Sequence, residues 1–260
     1  MLLRARRRAP RVLRPEVSPG VSPDLSTEAS TYATPSLALV TGAGSGIGRA
    51  VALALAARGH HVLALGRRAE PLRQLQQEAG GGVEPHPCDV TDPEAVPAVL
   101  ALTRGRLDVV VAAAGTFARG TVVDQSAQVW EEQVRINLVG VHHTLQATIA
   151  RMLSQNVVDA TRGHVFTLNS GAGVRGFPGG SAYAAAKHGL RGLVESLREE
   201  LAGQSVKLTD IVVSATVESE MSAGRQVPMI PADTVAHTVT ACLDLGGLAT
   251  WDRVDLAQLR

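Results

Sequence analysis

Cysteine is scarce in this 260-residue chain: Cys88 and Cys242 are the only two, far apart and outside any ligand spacing. That argues against a disulfide framework or a thiolate metal site, and the pair reads as reduced core thiols of a cytoplasmic protein. Charge of one sign is not in excess either, with 25 basic against 24 acidic residues, so no global field draws the chain to nucleic acid. No apolar run reaches the ~18 residues of a membrane span. The eight histidines follow no metal-ligand pattern, and His142, His143 and His188 fall in helical stretches. No internal repeat of fixed period is present.

What the chain does have divides at residue 36. Met1 to Arg14 carries six arginines and no acid, and Pro10, Pro15, Pro19, Pro23 and Pro35 punctuate residues 1–35. Without apolar periodicity this stretch is expected to be a disordered N-terminal extension. Its composition suits an organellar transit peptide, a solvated tail and an upstream-start artefact alike. Residues 36–260 alternate short apolar runs with helical patterns, as stacked βαβ units do. The strands expected are Leu37 to Thr41, His61 to Leu65, Val83 to Cys88, Leu107 to Ala112, His164 to Leu168 and Leu208 to Val213, with Val254 to Ala257 as a candidate last one. Pro85 and Pro87 assign the third to a short or edge position. Helices are expected over 46–58, 69–79, 92–103 (Asp92 as N-cap), 126–154, 182–201 and 232–243. The fold class is α/β: a doubly wound parallel sheet of the Rossmann type in a single domain, binding its ligand at the carboxyl ends of the strands.

Strand one runs into Thr41-Gly-Ala-Gly-Ser-Gly-Ile-Gly48 and then a helix. Glycines there permit a tight turn and let the backbone approach a pyrophosphate at a helix N-terminus. Strand two ends Leu65-Gly66-Arg67-Arg68, with no carboxylate to hold ribose hydroxyls. Gly66 leaves space for a 2′-phosphate and Arg67 offers it a forked contact, so NADP(H) is expected over NAD(H). Further on, Tyr183 and Lys187 stand four apart, on one face of a helix. A fixed ammonium favours the phenolate and is expected to lower the tyrosine pKa toward the working range.

In order along the chain come Gly42, Gly46 and Gly48; Asp89-Val90; Ala114-Gly115; Asn137 in Ile-Asn-Leu; Ser170; and Tyr183 with Lys187. On this ordered set the chain resembles the short-chain dehydrogenase/reductase family, from about Ser36 to the C-terminus. The resemblance implies that Asn137, Ser170, Tyr183 and Lys187 form a catalytic tetrad for reversible hydride transfer between a nicotinamide and a carbonyl or alcohol carbon. Tyr183 would be the general acid/base, Ser170 a donor to the substrate oxygen, Lys187 a ribose ligand, and Asn137 support for a water-linked proton path. Cofactor contacts implied are Gly42, Ser45, Gly46, Ile47 and Gly48, Arg67 and Arg68, Asp89 and Val90, Ala114 and Gly115, Val217 and Ser219, with Tyr183 and Lys187. A homodimer or homotetramer is implied through the helices over 126–154 and 182–201.

Two departures from the family pattern stand out. Ala112-Ala113-Ala114-Gly115 replaces Asn-Asn-Ala-Gly, removing a backbone-stabilising amide, and Ser214-Ala215 replaces Pro-Gly. They are the support for an alternative, a dinucleotide-binding sensor or scaffold with weak or no turnover. The substrate walls expected are 171–178 and 218–231, with Val174, Phe177, Met221 and Met229 as apolar candidates and Arg175, Glu218, Glu220 and Arg225 as the charged ones. That balance favours a mostly apolar ketone or aldehyde.

Overall fold

The computed structural model describes residues 36–259. The expectation for residues 1–35 lies outside the described residues. Seven parallel strands form one sheet: β1 (Leu37–Thr41), β2 (His61–Gly66), β3 (Val83–Pro87), β4 (Leu107–Ala112), β5 (Gly163–Ser170), β6 (Val206–Ser214) and β7 (Arg253–Ala257). Their order is β3-β2-β1-β4-β5-β6-β7, so the chain winds outward from β1 in both directions. The direction reverses between β1 and β4, where a crevice must open between loops leaving to opposite sides. β3 is an edge strand, as its prolines require, and Val254 to Ala257 does belong to the sheet.

Strands buried on both faces need apolar residues at successive positions rather than alternate ones. In β1, Ala38 and Val40 pack into one core with α1 (Gly46–Ala57), α2 (Ala69–Glu78) and α7 (Ala232–Leu243). Leu37 and Leu39 face the other core, with α3 (Ala95–Leu102), α5 (Gly140–Leu153) and α6 (Ser181–Glu200). Cys242 is buried in the first core, whereas Cys88 is only half-buried, its thiol pushed up to about 11 chiefly by desolvation. Among the described residues, no helix is long and apolar enough to cross a membrane.

Two helix expectations are corrected. Asp92 does not cap α3; its carboxylate accepts from the Glu94 N–H at 3.0 Å in a turn, and the helix starts at Ala95. The carboxylate found a nearer backbone donor, which is how Asp residues compete with helix starts. The single helix expected over 126–154 is instead α4 (Ala127–Val134), a π-helical turn (Arg135–Val139) and α5. Ser126 does cap α4, accepting from Val129 N–H at 3.3 Å. The break falls on Asn137, whose side-chain amide takes the Gln133 carbonyl at 2.8 Å. That carbonyl is the acceptor a regular helix would give to Asn137's own N–H.

Candidate active site

A cleft of about 590 Å³ opens at the carboxyl ends of β1, β4, β5 and β6. Gly42, Ser45, Gly46, Ile47 and Gly48 form one wall, with Ala114 and Gly115 beside them. Asn137, Ser170, Tyr183 and Lys187 also line it, as do Val217 and Ser219, the latter against Gly46 of the glycine loop. The fold thus brings together most of the residues singled out in the sequence. Arg67, Arg68, Asp89 and Val90 are outside the cleft lining, at the ends of β2 and β3 beyond the glycine loop. Val90 is buried against Gly140 of α5. Asp89 accepts from the Thr91 N–H at 3.0 Å, and that bond holds its carboxyl below the usual range, with Arg67 and Arg135 adding to the effect.

The glycine loop fits a dinucleotide on two observations. A Cβ on Gly46, where φ is +51°, would lie 2.9 Å from the Ser219 side chain, and one on Gly48 would lie 2.3 Å from the Gly42 carbonyl. Neither position tolerates a side chain, so the backbone itself lines the wall. Ser45, the N-cap of α1, makes no side-chain capping bond, and no acid occupies the first turn. The N–H groups at this helix start remain available to an anion. The departure at Ala113 is compensated: the Thr41 hydroxyl accepts from the N–H groups of both Ala113 and Ala114 at 3.1 Å. Thr41 thereby braces β4's loop against β1. At the other departure, Ser214 ends β6 and its Oγ would lie 2.8 Å from a Cβ on Gly171.

Asn137 is fully buried within the π-turn. Its Nδ2 donates to the Thr116 and Gln133 carbonyls, each at 2.8 Å, and its Oδ1 accepts from Thr116 N–H at 3.1 Å. Both amide hydrogens are committed to backbone, so the side chain holds the loop after β4. Ser219's hydroxyl is likewise engaged locally, 3.3 Å from Ser222 Oγ in a capping box.

Tyr183 and Lys187 do share the inner face of α6, but the electrostatics differ from expectation. Lys187 Nζ donates to the Leu168 carbonyl at 2.7 Å and sits 5.7 Å from the Tyr183 ring centre. Burial lowers its pKa to about 8, opposed by the charge of Asp210. The Tyr183 phenol is raised, not lowered. Desolvation dominates, and the neighbouring Ser170 hydroxyl and the charge of Arg225 only partly offset it. Burial wins because removing a phenolate from water costs more than these neighbours return.

Sequence reasoning missed Asp210 and Phe117. Asp210 is a buried carboxylate on β6 that accepts from Thr167 Oγ at 2.6 Å and Asn169 Nδ2 at 3.0 Å. Asn169 in turn accepts from the Ser170 N–H at 2.8 Å. One acid therefore orients the strand that carries Ser170 and supplies negative charge near Lys187. A charged residue inside a buried strand was the available signal, since such a group requires partners. Because Asp210 raises the Lys187 pKa, Asp210→Asn is expected to lower it further. The alkaline limb of kcat/KM that follows the ammonium should then move to lower pH, with folding retained. A profile superimposable on wild type would show that Asp210 acts on the loop alone. Phe117 packs edge-on to Tyr183, 5.3 Å between centroids and 73° between planes. Phe177, Met221 and Arg225 line the cleft as expected, whereas Val174, Met229, Arg175, Glu218 and Glu220 are not among its lining residues.

A parallel sheet carrying a glycine-walled cleft at its switch point, with a half-buried tyrosine and serine and a buried lysine lining it, defines the dinucleotide-binding oxidoreductase class. The family model for short chain dehydrogenases matches residues 36–227. An uncharacterized oxidoreductase of Myxococcus xanthus is 40% identical over 201 residues, covering 74% of this chain and 76% of that protein. The chain therefore belongs to the short-chain dehydrogenase family. A glycine betaine reductase of Emericella nidulans is 36% identical over 181 residues, 67% of this chain but only 14% of that protein. Among solved structures, the closed form of a serine dehydrogenase complexed with NADP+ superposes with a TM-score of 0.78 at 26% identity, covering 85% of this chain and 94% of that one. A metagenomic short-chain oxidoreductase in complex with NADP gives 0.74 at 29% identity, covering 86% and 98%.

Proposed function

We propose that this chain is an NADP(H)-dependent oxidoreductase that interconverts a carbonyl and an alcohol, with Tyr183 as general acid/base. The observation that carries the reading is the meeting of Tyr183, Ser170 and Lys187 in the cleft walled by the glycine loop. The NADP-bound structural relatives support the cofactor class. A bound nicotinamide dinucleotide would supply or accept the hydride. The loop of Gly42, Ser45, Gly46, Ile47 and Gly48 would hold its phosphates, with Arg67 and Arg68 toward the adenosine end and Asp89 and Val90 near the adenine.

Tyr183 would give its proton to the carbonyl oxygen as the alcohol forms, and Ser170 would hydrogen-bond that oxygen. Lys187 would hold the ribose and keep positive charge beneath it. A phenol raised by burial retains its proton at neutral pH. That is the state a general acid needs in the carbonyl-reducing step. The decisive experiment follows the fall in NADPH absorbance against a panel of diketones, quinones, aldehydes and β-keto esters. Turnover of any member is expected; a chain that binds NADPH tightly yet reduces none would instead be the sensor or scaffold.

A further inference from the structure

The substrate end of the cleft is not the neutral wall that its composition suggested. Among the described residues lining it, Lys187 and Arg225 are the only charged side chains, and no carboxylate is present. Lys187 is committed to the Leu168 carbonyl. Arg225 has no carboxylate partner among the described residues. The acid nearest to it in sequence on the same loop, Glu220, is turned to Arg68 at 2.5 Å.

Arg225 is nevertheless well placed. Its guanidinium carbon lies 5.0 Å from the centre of the Phe117 ring, and Phe117 packs on Tyr183. Its backbone N–H donates to the Ser222 carbonyl at 3.1 Å, and the loop it stands on is tied at its base, where Val217 bridges Ile230. Stacking on an aromatic face aligns the guanidinium fork before any ligand arrives. Arg225 and Tyr183 line the same cleft, and the arginine's charge offsets part of the rise in the Tyr183 pKa. One uncommitted fork, the only cation other than the committed Lys187 among the described residues lining the cleft, matches a single planar monoanion better than a phosphate, which takes several donors.

We infer that Arg225 selects a substrate bearing a carboxylate: an oxo acid in reduction, a hydroxy acid in oxidation. The carboxylate would meet the guanidinium while the carbonyl oxygen reaches Tyr183 and Ser170, and the carbon chain between them would lie along Phe117. This rests on the reaction proposed above. In reduction the carbonyl carbon gains a hydride and its oxygen gains the Tyr183 proton, at the expense of one reduced nicotinamide, and the product is the hydroxy acid.

The test compares 4-oxopentanoate and 5-oxohexanoate with their methyl esters, using the full chain and NADPH, in wild type, Arg225→Met and Arg225→Lys. Wild type is expected to favour the acid by ~10-fold or more in kcat/KM, the effect of one charge-assisted hydrogen bond. In Arg225→Met the acid-to-ester ratio should fall to about one with the KM for NADPH unmoved. Arg225→Lys should lie between, since the charge remains and the fork is lost. Equal use of acid and ester by wild type would overturn the inference. So would a ratio unchanged in Arg225→Met, or a raised KM for NADPH with the acid preference intact, which would assign Arg225 to the cofactor. Reduction of neutral ketones with no acid accepted overturns the inference and leaves the proposed reaction standing. If nothing is turned over, the reaction fails, and binding decides the inference: 5-oxohexanoate, but not its methyl ester, must raise the melting temperature of the NADPH complex.

Discussion

Tyr183→Phe is expected to lower turnover by ~10²–10⁴-fold, the usual loss when a positioned general acid is removed. The fold and NADPH affinity should persist, because the ring's contact with Phe117 survives the substitution. The hydroxyl of Ser170 is not stranded either, since it still accepts from the Ala172 N–H at 3.2 Å. Melting temperature, NADPH titration and single-turnover rates on one preparation separate these effects. Near wild-type turnover would remove Tyr183 from the chemistry. Retained folding with a collapsed rate is specific to a proton donor, because a packing defect would move the melting temperature first.

The second large effect expected is a preference for NADPH over NADH of roughly ten- to a hundredfold in kcat/KM, the worth of a hydrogen bond to a charged group. The two arginines after β2 are not equivalent. Arg68 is bonded to Glu220 at 2.5 Å, whereas Arg67 lies 3.9 Å from Glu132 Oε1. Both partners of the Arg67 pair are more than half exposed, and such pairs contribute little because water and salt screen them. Arg67 can therefore turn to a 2′-phosphate at small cost. Arg67→Ala should erase most of the preference while leaving NADH turnover nearly intact, and Arg68→Ala should change it less. Since the site is exposed, the comparison belongs at physiological salt. Equal use of both cofactors by the wild type would sink this assignment.

Much of the architecture was legible from local pattern. The apolar runs of β1, β2 and β4 were long enough to be buried strands, and Pro85 and Pro87 announced an edge. Boundaries failed where a side chain bonded backbone in a way that periodicity does not record. Asp92 satisfied Glu94's N–H instead of capping a helix, and Asn137 broke a helix that its neighbours' spacing would continue. Most of the residues singled out for the site meet in one cleft, and they could be singled out because their types and order are linear properties. Their electrostatic states are not, as the raised Tyr183 phenol shows.

By itself the amino-acid order determined the α/β alternation, the glycine loop at the end of β1, and the placing of Tyr183 and Lys187 on one face of α6. Each follows from contacts within a few residues along the chain. Only the tertiary structure decided which groups face one another across the cleft. Asp210 reaches Asn169 because β5 and β6 are paired in register, and Arg225 reaches Phe117 because two loops from distant strands converge on one opening. A pKa sums desolvation and charge over all neighbours in space, so burial of Tyr183 could reverse the shift that its nearest sequence partner, Lys187, would impose.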